Sequence, residues 1–340
     1  MSKFLLTIAI PTYNRPVQLA HTLSIIVPQV LSHANVQLLI LDNCSPVPAA
    51  DVLSGVMKSA SPCGQIKVIR HSTNIGGNGN ILRCFDMAEG EWIWCLGDDD
   101  DPAADAVETI LTDCQRHPHC YAYYGLGEGV PRLDDCGGLF LGSSITEWVR
   151  RIPKYGHRLF LSESVFKIDA IRPYFPMAYD VVSSGAAHLV MAFMAIENGG
   201  SYLLSSKQIA RYNQPPAGTG YNCVPLAYGS ATLFSMIGPK CSYTDFKMFF
   251  QTSFAEWVSP FLFLRQAIIL HRTLPASRLH ANFKIIVNLF KPMFMCNPRS
   301  WIRWTLADFM SIVPWLFTAA FSLRARLAHR RVSEVDGRVI

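Results

Sequence analysis

Residues 92 to 102 read Trp92-Ile93-Trp94-Cys95-Leu96-Gly97-Asp98-Asp99-Asp100-Asp101-Pro102, an apolar run that passes directly into four consecutive carboxylates. The apolar half has the length and composition of a buried strand, and the acidic half falls where that strand would end. Adjacent carboxylates repel one another at neutral pH unless a cation, hydrogen-bond donors or open water take up the charge. A hard divalent cation, Mg²⁺ or Mn²⁺, suits them, because it prefers oxygen ligands and keeps positions open for water and substrate phosphates. The competing reading is a solvated acidic turn in which Asp101 caps the helix that follows Pro102.

Working outward, the flanking segments alternate between strand and helix signals. Phe4 to Ile10 is an apolar run stopped by Pro11, followed by Leu19, Leu23, Ile26 and Val30 at helical spacing. Val36 to Leu41 repeats the strand signal and ends at Asp42-Asn43, and Ile66 to Ile69 gives a third strand ending near His71. Residues 74 to 80, Asn-Ile-Gly-Gly-Asn-Gly-Asn, are too rich in Gly and Asn for regular structure; a helix over Ile81–Ala88 and a strand over Glu91–Leu96 follow. Beyond Pro102 the pattern predicts a helix over Asp105–Cys114, strands over Tyr121–Tyr124 and Arg158–Phe166, and a helix over Ala186–Glu197 stopped by Gly199-Gly200. Residues 214–220 read as a loop able to close over a site, and several helices follow from about residue 244. This order predicts an α/β fold with a mostly parallel sheet covered by helices on both faces. In such sheets ligands collect beyond the carboxyl ends of the strands, the edge that Asp42, Asn74 and Asp98–Asp101 share.

Charge divides the chain unevenly. Residues 1–264 carry 18 Lys and Arg against 22 Asp and Glu, a net of −4, whereas residues 265–340 carry 12 against 3, a net of +9. An acidic body with a basic tail suits an anionic surface better than nucleic acid. The ten cysteines include no Cys-x-x-Cys pair and no zinc-knuckle spacing, and several, such as Cys84 and Cys95, sit in apolar patterns, which favours buried thiols in a reducing compartment. The first residues lack a small-residue cleavage site, so they read as a strand rather than a signal peptide, and the expected location is the cytosol.

Three alternative chemistries fail on the motifs. A haloacid-dehalogenase type phosphatase needs Asp-x-Asp-x-Thr/Val, but Pro102 stands two residues after Asp100. A sugar nucleotidyltransferase needs a Gly-rich, Arg-ending loop after its first strand, where this chain has Pro11-Thr12-Tyr13-Asn14-Arg15. Gly76-Gly77-Asn78-Gly79 lacks the spacing of a dinucleotide loop.

Four stretches taken together, IAIPTYNRP (8–16), LLILDNCSP (38–46), NIGGNGN (74–80) and AEGEWIWCLGDDDDP (88–102), resemble the nucleotide-binding half of a family 2 glycosyltransferase of the GT-A fold. The resemblance covers about the first 115 residues. It implies an inverting transferase that uses a nucleotide-activated sugar and a divalent metal. By the same resemblance Pro11, Thr12 and Asn14 line the nucleotide pocket, Asp42 accepts a hydrogen bond from the base or ribose, and Asn74 and Gly76 shape the pocket floor. Asp99 becomes the main metal ligand, with Asp98 and Asp100 contacting sugar or metal. Gly97 stands where many relatives carry the first Asp of the motif, a departure from the pattern. Arg83, on the helix after the Asn/Gly stretch, either reaches a phosphate or lies on a solvated face.

Inversion requires a base for the acceptor hydroxyl. The family supplies a carboxylate from the start of a helix some way beyond the metal motif; here that position holds His188, with Asp180 eight residues earlier and Glu163 as the next candidate. A histidine titrates near ~6.5 and can serve as base or metal ligand, though among apolar helix residues it is more often a core residue.

The resulting partition is a nucleotide-sugar-binding half (1–115), an acceptor-binding half (116–243) and a helical, basic and aromatic region (244–340). The last interleaves Trp301, Trp304, Trp315 and Phe321 with Arg299, Arg303, Arg324, Arg326, Arg330 and Arg331. Its uncharged run, Phe309 to Leu323, contains Pro314 and falls short of the ~20 residues a bilayer span needs, so it suits a helix lying in the interface. The alternative is packing on the domain or on a second subunit of a homo-oligomer. The expectation is a transferase of bacterial surface-glycan type, peripheral on the cytosolic membrane face, acting on a lipid-linked glycan. A catalytically silent nucleotide-sugar-binding or assembly subunit is the alternative from another class.

Overall fold

The computed structural model describes residues 4–57, 64–117, 119–125, 138–151 and 160–213, then helical positions between 277 and 291, residues 298–320 and residue 323. The 214–220 loop, the side chain of Trp301, and Phe321 and the arginines beyond it lie outside the described residues. The chain divides into two compact units, residues 1–219 and 220–340.

The first unit is built on an eight-stranded sheet. Its parallel part comprises β1 (Phe4–Thr12), β2 (Val36–Asp42), β3 (Ile66–Arg70) and β4 (Gly90–Cys95), with β1 in the middle between β2 and β4. A short β5 (Asp101–Pro102) lies outside this sheet. The sheet continues through β6 (Tyr121–Tyr123), β7 (Leu139–Gly142), β8 (Ser164–Lys167) and β9 (Tyr202–Ser205) in the spatial order β3-β2-β1-β4-β8-β6-β9-β7. β8 runs antiparallel to both β4 and β6, so the mostly parallel sheet crosses residue 115 without a break.

Alternation of side chains places the helices. Leu6, Ile8 and Ile10 of β1 share one core with Leu19, Leu23, Ile26 and Val30 of α1 (Pro16–Leu31), Leu53 of α2 (Ala49–Met57) and Ile110 of α4 (Ala106–Arg116). Val165 belongs to that core, whereas the next residue, Phe166, points to the opposite face and meets Phe85 of α3 (Gly77–Met87) edge-on at 5.1 Å. Among the described residues of this unit four further α-helices follow: α5 (Ile145–Arg151), α6 (Ile168–Ile171), α7 (Phe175–Asp180) and α8 (Ala187–Glu197). α8 has ten consecutive buried residues, Ala187 to Ile196, which fits its near-unbroken apolar sequence.

Three expectations are corrected. The strand expected over Arg158–Phe166 is confined, among the described residues, to β8, with a 3-10 turn over Leu161–Glu163 ahead of it. β1 does not stop at Pro11 but runs on to Thr12, because Pro11 and Thr12 still pair with Leu41 and Asp42 of β2. α3 begins inside the Gly/Asn run rather than after it. Gly76 takes φ +83° just ahead of the first turn, and Asn80 is held there by donating to the Leu41 carbonyl (3.0 Å) and meeting His71 (2.9 Å).

In the second unit α9 (Pro298–Ile312) buries Trp304, Ala307 and Met310, and an ion pair joins Lys291 to Asp308. Residues 314–320 are helical again after Val313. Among the described residues no helix is long and apolar enough to cross a membrane.

Candidate active site

Because β1, β2, β3 and β4 are parallel, their carboxyl ends meet at one edge, and the loops that leave them are tied together there. Asn14 adopts φ +54° and donates its backbone N–H to Ser45 Oγ (3.0 Å), joining the loop after β1 to the loop after β2. Asn43 donates to Asn74 Oδ1 (2.9 Å) and accepts from the Ile75 N–H (2.9 Å), while Asn74 Oδ1 also takes the Gly76 N–H (2.8 Å). Asn74 and Gly76 thus sit in the cross-linked loop expected to form the pocket floor.

Asp42 is buried, and its oxygens accept from the backbone of Ser45 (2.7 Å) and Ala49 (3.1 Å) and from Arg70 (2.7 Å). Burial raises its carboxyl, but the donors from Ser45, Ala49 and Arg70 outweigh that and hold it below the usual range. Asp42 therefore anchors Arg70 and the start of α2. Arg83 pairs with Asp86 on its own helix, the solvated-face alternative.

The four aspartates take four different environments. Asp98 is buried; one oxygen accepts from Thr12 Oγ1 (2.7 Å) and the other from Arg15 (3.0 Å). Burial lifts its carboxyl above the usual range, against the pull of Thr12 and Arg15. Asp99 accepts from the same Arg15 nitrogen at 2.6 Å. Asp100 is buried, accepts from Ser162 Oγ (2.6 Å) and from the Asn213 backbone (3.4 Å), and is pushed by burial up to about 6. Asp101 meets His21 at 2.9 Å. The backbone is pinned as well: Thr22 Oγ1 donates to the carbonyls of Asp98 and Asp100, both at 3.1 Å, and Asn213 Nδ2 donates to the Asp99 carbonyl (2.9 Å). A two-residue strand, β10 (Ala210–Arg211), pairs with β5 and brings Asn213 to this position.

The glycine that departs from the family pattern has a steric cause. A Cβ on Gly97 would lie 2.5 Å from Asp100 Oδ2, and the Gly97 N–H donates to the same Ser162 hydroxyl that holds Asp100 (2.8 Å).

Glu163 follows Ser162 in the turn before β8. It is buried, accepts from Tyr123 Oη (3.0 Å), and packs against Gly125, where a Cβ would fall 1.8 Å from its carboxylate and φ is +72°. Burial pushes its carboxyl up to about 7, opposed by hydrogen bonds from Tyr123 and Gln208 and reinforced by the charge of Asp100. His188 is buried in the first turn of α8, edge-on to Phe166 with ring centroids 6.5 Å apart. Asp180 is exposed at the end of α7. Glu163 is thus the base candidate whose surroundings connect to the aspartates, through Ser162.

A divalent cation fits the aspartates in one respect. Asp98 and Asp99 each direct one oxygen at the same positively charged nitrogen of Arg15, which stands where a cation would bind. Among the described residues no three His, Cys, Asp or Glu side chains are grouped to hold a metal alone, so this arrangement suits an ion that takes its remaining ligands from substrate and water. Sequence reasoning passed over Arg15, Asn43, Arg70, Ser162 and Asn213. Arg15 and Asn43 lay inside quoted motifs; the others carried no local signal.

Comparison with known proteins agrees with this geometry. Residues 7–161 match the family described as Glycosyl transferase family 2. The abequosyltransferase RfbV of Salmonella typhimurium is 29% identical over 108 residues, a match spanning 32% of this chain and 32% of that protein. S. aureus TarS 1–349 in complex with UDP superposes with a TM-score of 0.61 at 12% identity, covering 91% of this chain and 89% of that one. The mannosyltransferase PcManGT from Pyrobaculum calidifontis, in complex with GDP-Man and Mn²⁺, superposes with a TM-score of 0.52 at 14% identity, covering 94% and 86%. At such identities the superpositions speak for the fold, which is the GT-A arrangement of a mostly parallel sheet between helices. With the aspartates at the carboxyl edge of that sheet, residues 7–161 form a family 2 glycosyltransferase domain.

Proposed function

We propose that the chain is a metal-dependent, inverting glycosyltransferase. It would move a sugar from a nucleotide-sugar donor to a lipid-linked glycan in bacterial surface-polysaccharide synthesis, at the cytosolic face of the membrane. The observation that carries this reading is the convergence of Asp98 and Asp99 on one cationic nitrogen at the carboxyl edge of a family 2 domain. The names of the similar proteins, an abequosyltransferase and a mannosyltransferase bound to GDP-Man and Mn²⁺, support the substrate class.

In this reading Thr12, Asn14, Asp42 with Arg70, and the Asn74–Gly76 loop hold the nucleoside, with Pro11 closing the β1 end of the pocket. A bound Mg²⁺ or Mn²⁺, held by Asp99 with Asp98 or Asp100, would neutralise the diphosphate as it leaves. The acceptor hydroxyl gives its proton to a base as its oxygen bonds the anomeric carbon and the bond to the diphosphate breaks. We assign the base to Glu163, whose carboxyl near about 7 is matched to neutral pH; His188 and Asp180 are the other candidates.

The reading is tested by thermal shift with UDP, GDP, CDP and dTDP in the presence of Mn²⁺, followed by turnover of the nucleotide sugar selected. A ligand at 100 times its dissociation constant stabilises by ~2.7 kcal/mol, a readily measured shift. No stabilisation by any nucleotide overturns the assignment. Stabilisation without turnover identifies a silent binding subunit instead.

A further inference from the structure

α9 is apolar on two sides, and among the described residues only one of them is buried. Trp304, Ala307 and Met310 face inward at 3%, 1% and 6% exposure. Ile302, Leu306, Phe309 and Ile312 follow one another at spacings of four, three and three, which keeps them together on the helix surface. They are 65%, 48%, 58% and 66% exposed, and Trp315, just beyond Pro314, is 68% exposed. Isolated exposed apolar residues are ordinary, but a row of large ones along one helix marks an interaction surface.

We propose that this row is a docking surface for an anionic lipid bilayer, with the helix lying in the headgroup region. The charge of the tail selects this partner. Residues 265–340 carry 12 Lys and Arg against 3 Asp and Glu, and the exposed Arg303 directly follows Ile302. That net charge attracts anionic headgroups and repels the same surface of a second copy. Bulky apolar side chains inserting shallowly beside an arginine, with a tryptophan at the end, are what an interfacial helix requires. Attachment through this face lies in the interface, and its charge part is screened by salt.

The inference rests on the membrane-facing part of the proposed function and not on its transferase chemistry, so the two are tested separately. The full chain is sedimented with phosphatidylcholine vesicles and with vesicles containing phosphatidylglycerol, at low and high salt. The wild type should pellet with the anionic vesicles and be partly released by salt. The triple variant Ile302→Ser, Phe309→Ser, Ile312→Ser should lose partitioning on the order of tenfold or more. Its circular dichroism and its thermal shift with nucleotide should be unchanged, because the replaced side chains are exposed. Equal pelleting of the two proteins, or none by the wild type, overturns the proposal. So does a wild-type dimer that the triple variant converts to a monomer in the absence of vesicle binding, which would make the face a contact between copies. Vesicle binding without any nucleotide-induced shift would leave this inference standing and remove the transferase reading.

Discussion

Glu163→Gln should make the protein more stable at alkaline pH and less stable in acid. Folding raises this carboxyl from 4.5 to about 7, chiefly by burial, so the folded state prefers the protonated side chain. The stabilising contribution is complete below the unfolded value and is lost as the pH rises through the folded one. Above about 7 the buried charge costs the native state roughly 3 kcal/mol, at 1.36 kcal/mol for each pKa unit. Glutamine has nearly the same shape and never ionises, so it removes that cost. Its NH₂ group cannot accept as the carboxylate does, which puts at risk one of the hydrogen bonds from Tyr123 and Gln208, at ~1 kcal/mol. The variant should therefore be about 2 kcal/mol more stable near pH 8 and about 1 kcal/mol less stable near pH 4. Urea unfolding of the metal-free protein across that range is the assay, and the two stability curves should cross. Parallel curves, or a variant destabilised at every pH, would refute the buried, proton-holding environment. If Glu163 is the base, the same variant should lose kcat by ~10²–10⁴-fold with donor affinity nearly unchanged.

Asp99→Asn should abolish Mn²⁺-dependent nucleotide-sugar binding and transfer while leaving the fold intact; full activity in excess chelator would remove the metal from the mechanism. Arg15→Gln should tighten Mn²⁺ binding in the absence of nucleotide on the order of tenfold, because the guanidinium and the ion compete for the same oxygens of Asp98 and Asp99. Titration followed by the electron paramagnetic resonance of free Mn²⁺ measures this, and unchanged or weaker binding contradicts the competition. Gly97→Ala should cost ~1–3 kcal/mol by chemical denaturation, since its Cβ meets Asp100 at 2.5 Å; a neutral substitution would show that the loop can relax.

The alternation of strand and helix, and the edge at which the acidic run emerges, were legible in the sequence because both depend on local pattern. An apolar run such as Trp92–Leu96 has to be buried, and the hydrophilic residues that end it have to leave the sheet at its carboxyl edge. The same logic put Asp42 and Asn74 on that edge, where the structure has them. Pattern failed where long-range pairing overruled a local signal. Pro11 stays in β1 because β2 continues alongside it, and the Gly/Asn run becomes helical because Asn80 finds its acceptor on Leu41, 39 positions away.

The chemistry within the site was decided by tertiary structure. Thr12 lies 86 positions from Asp98, Ser162 lies 62 from Asp100, and Asn213 lies 114 from Asp99; no local pattern encodes such pairs. Only the register of the sheet brings those atoms within hydrogen-bonding distance. The base candidates illustrate the point, since the family resemblance pointed to His188, at the start of a helix beyond the aspartates, and to Asp180 eight residues earlier. Folding packs His188 against Phe166, leaves Asp180 exposed, and sets Glu163 beside the Ser162 that holds Asp100. Residue type and spacing determined that carboxylates would gather at one edge of a parallel sheet. Which of them are buried, which are paired and which hold a proton was settled by the burial and donors that distant segments supply, because a carboxyl group's charge responds to the few ångströms around it and not to its neighbours in the chain.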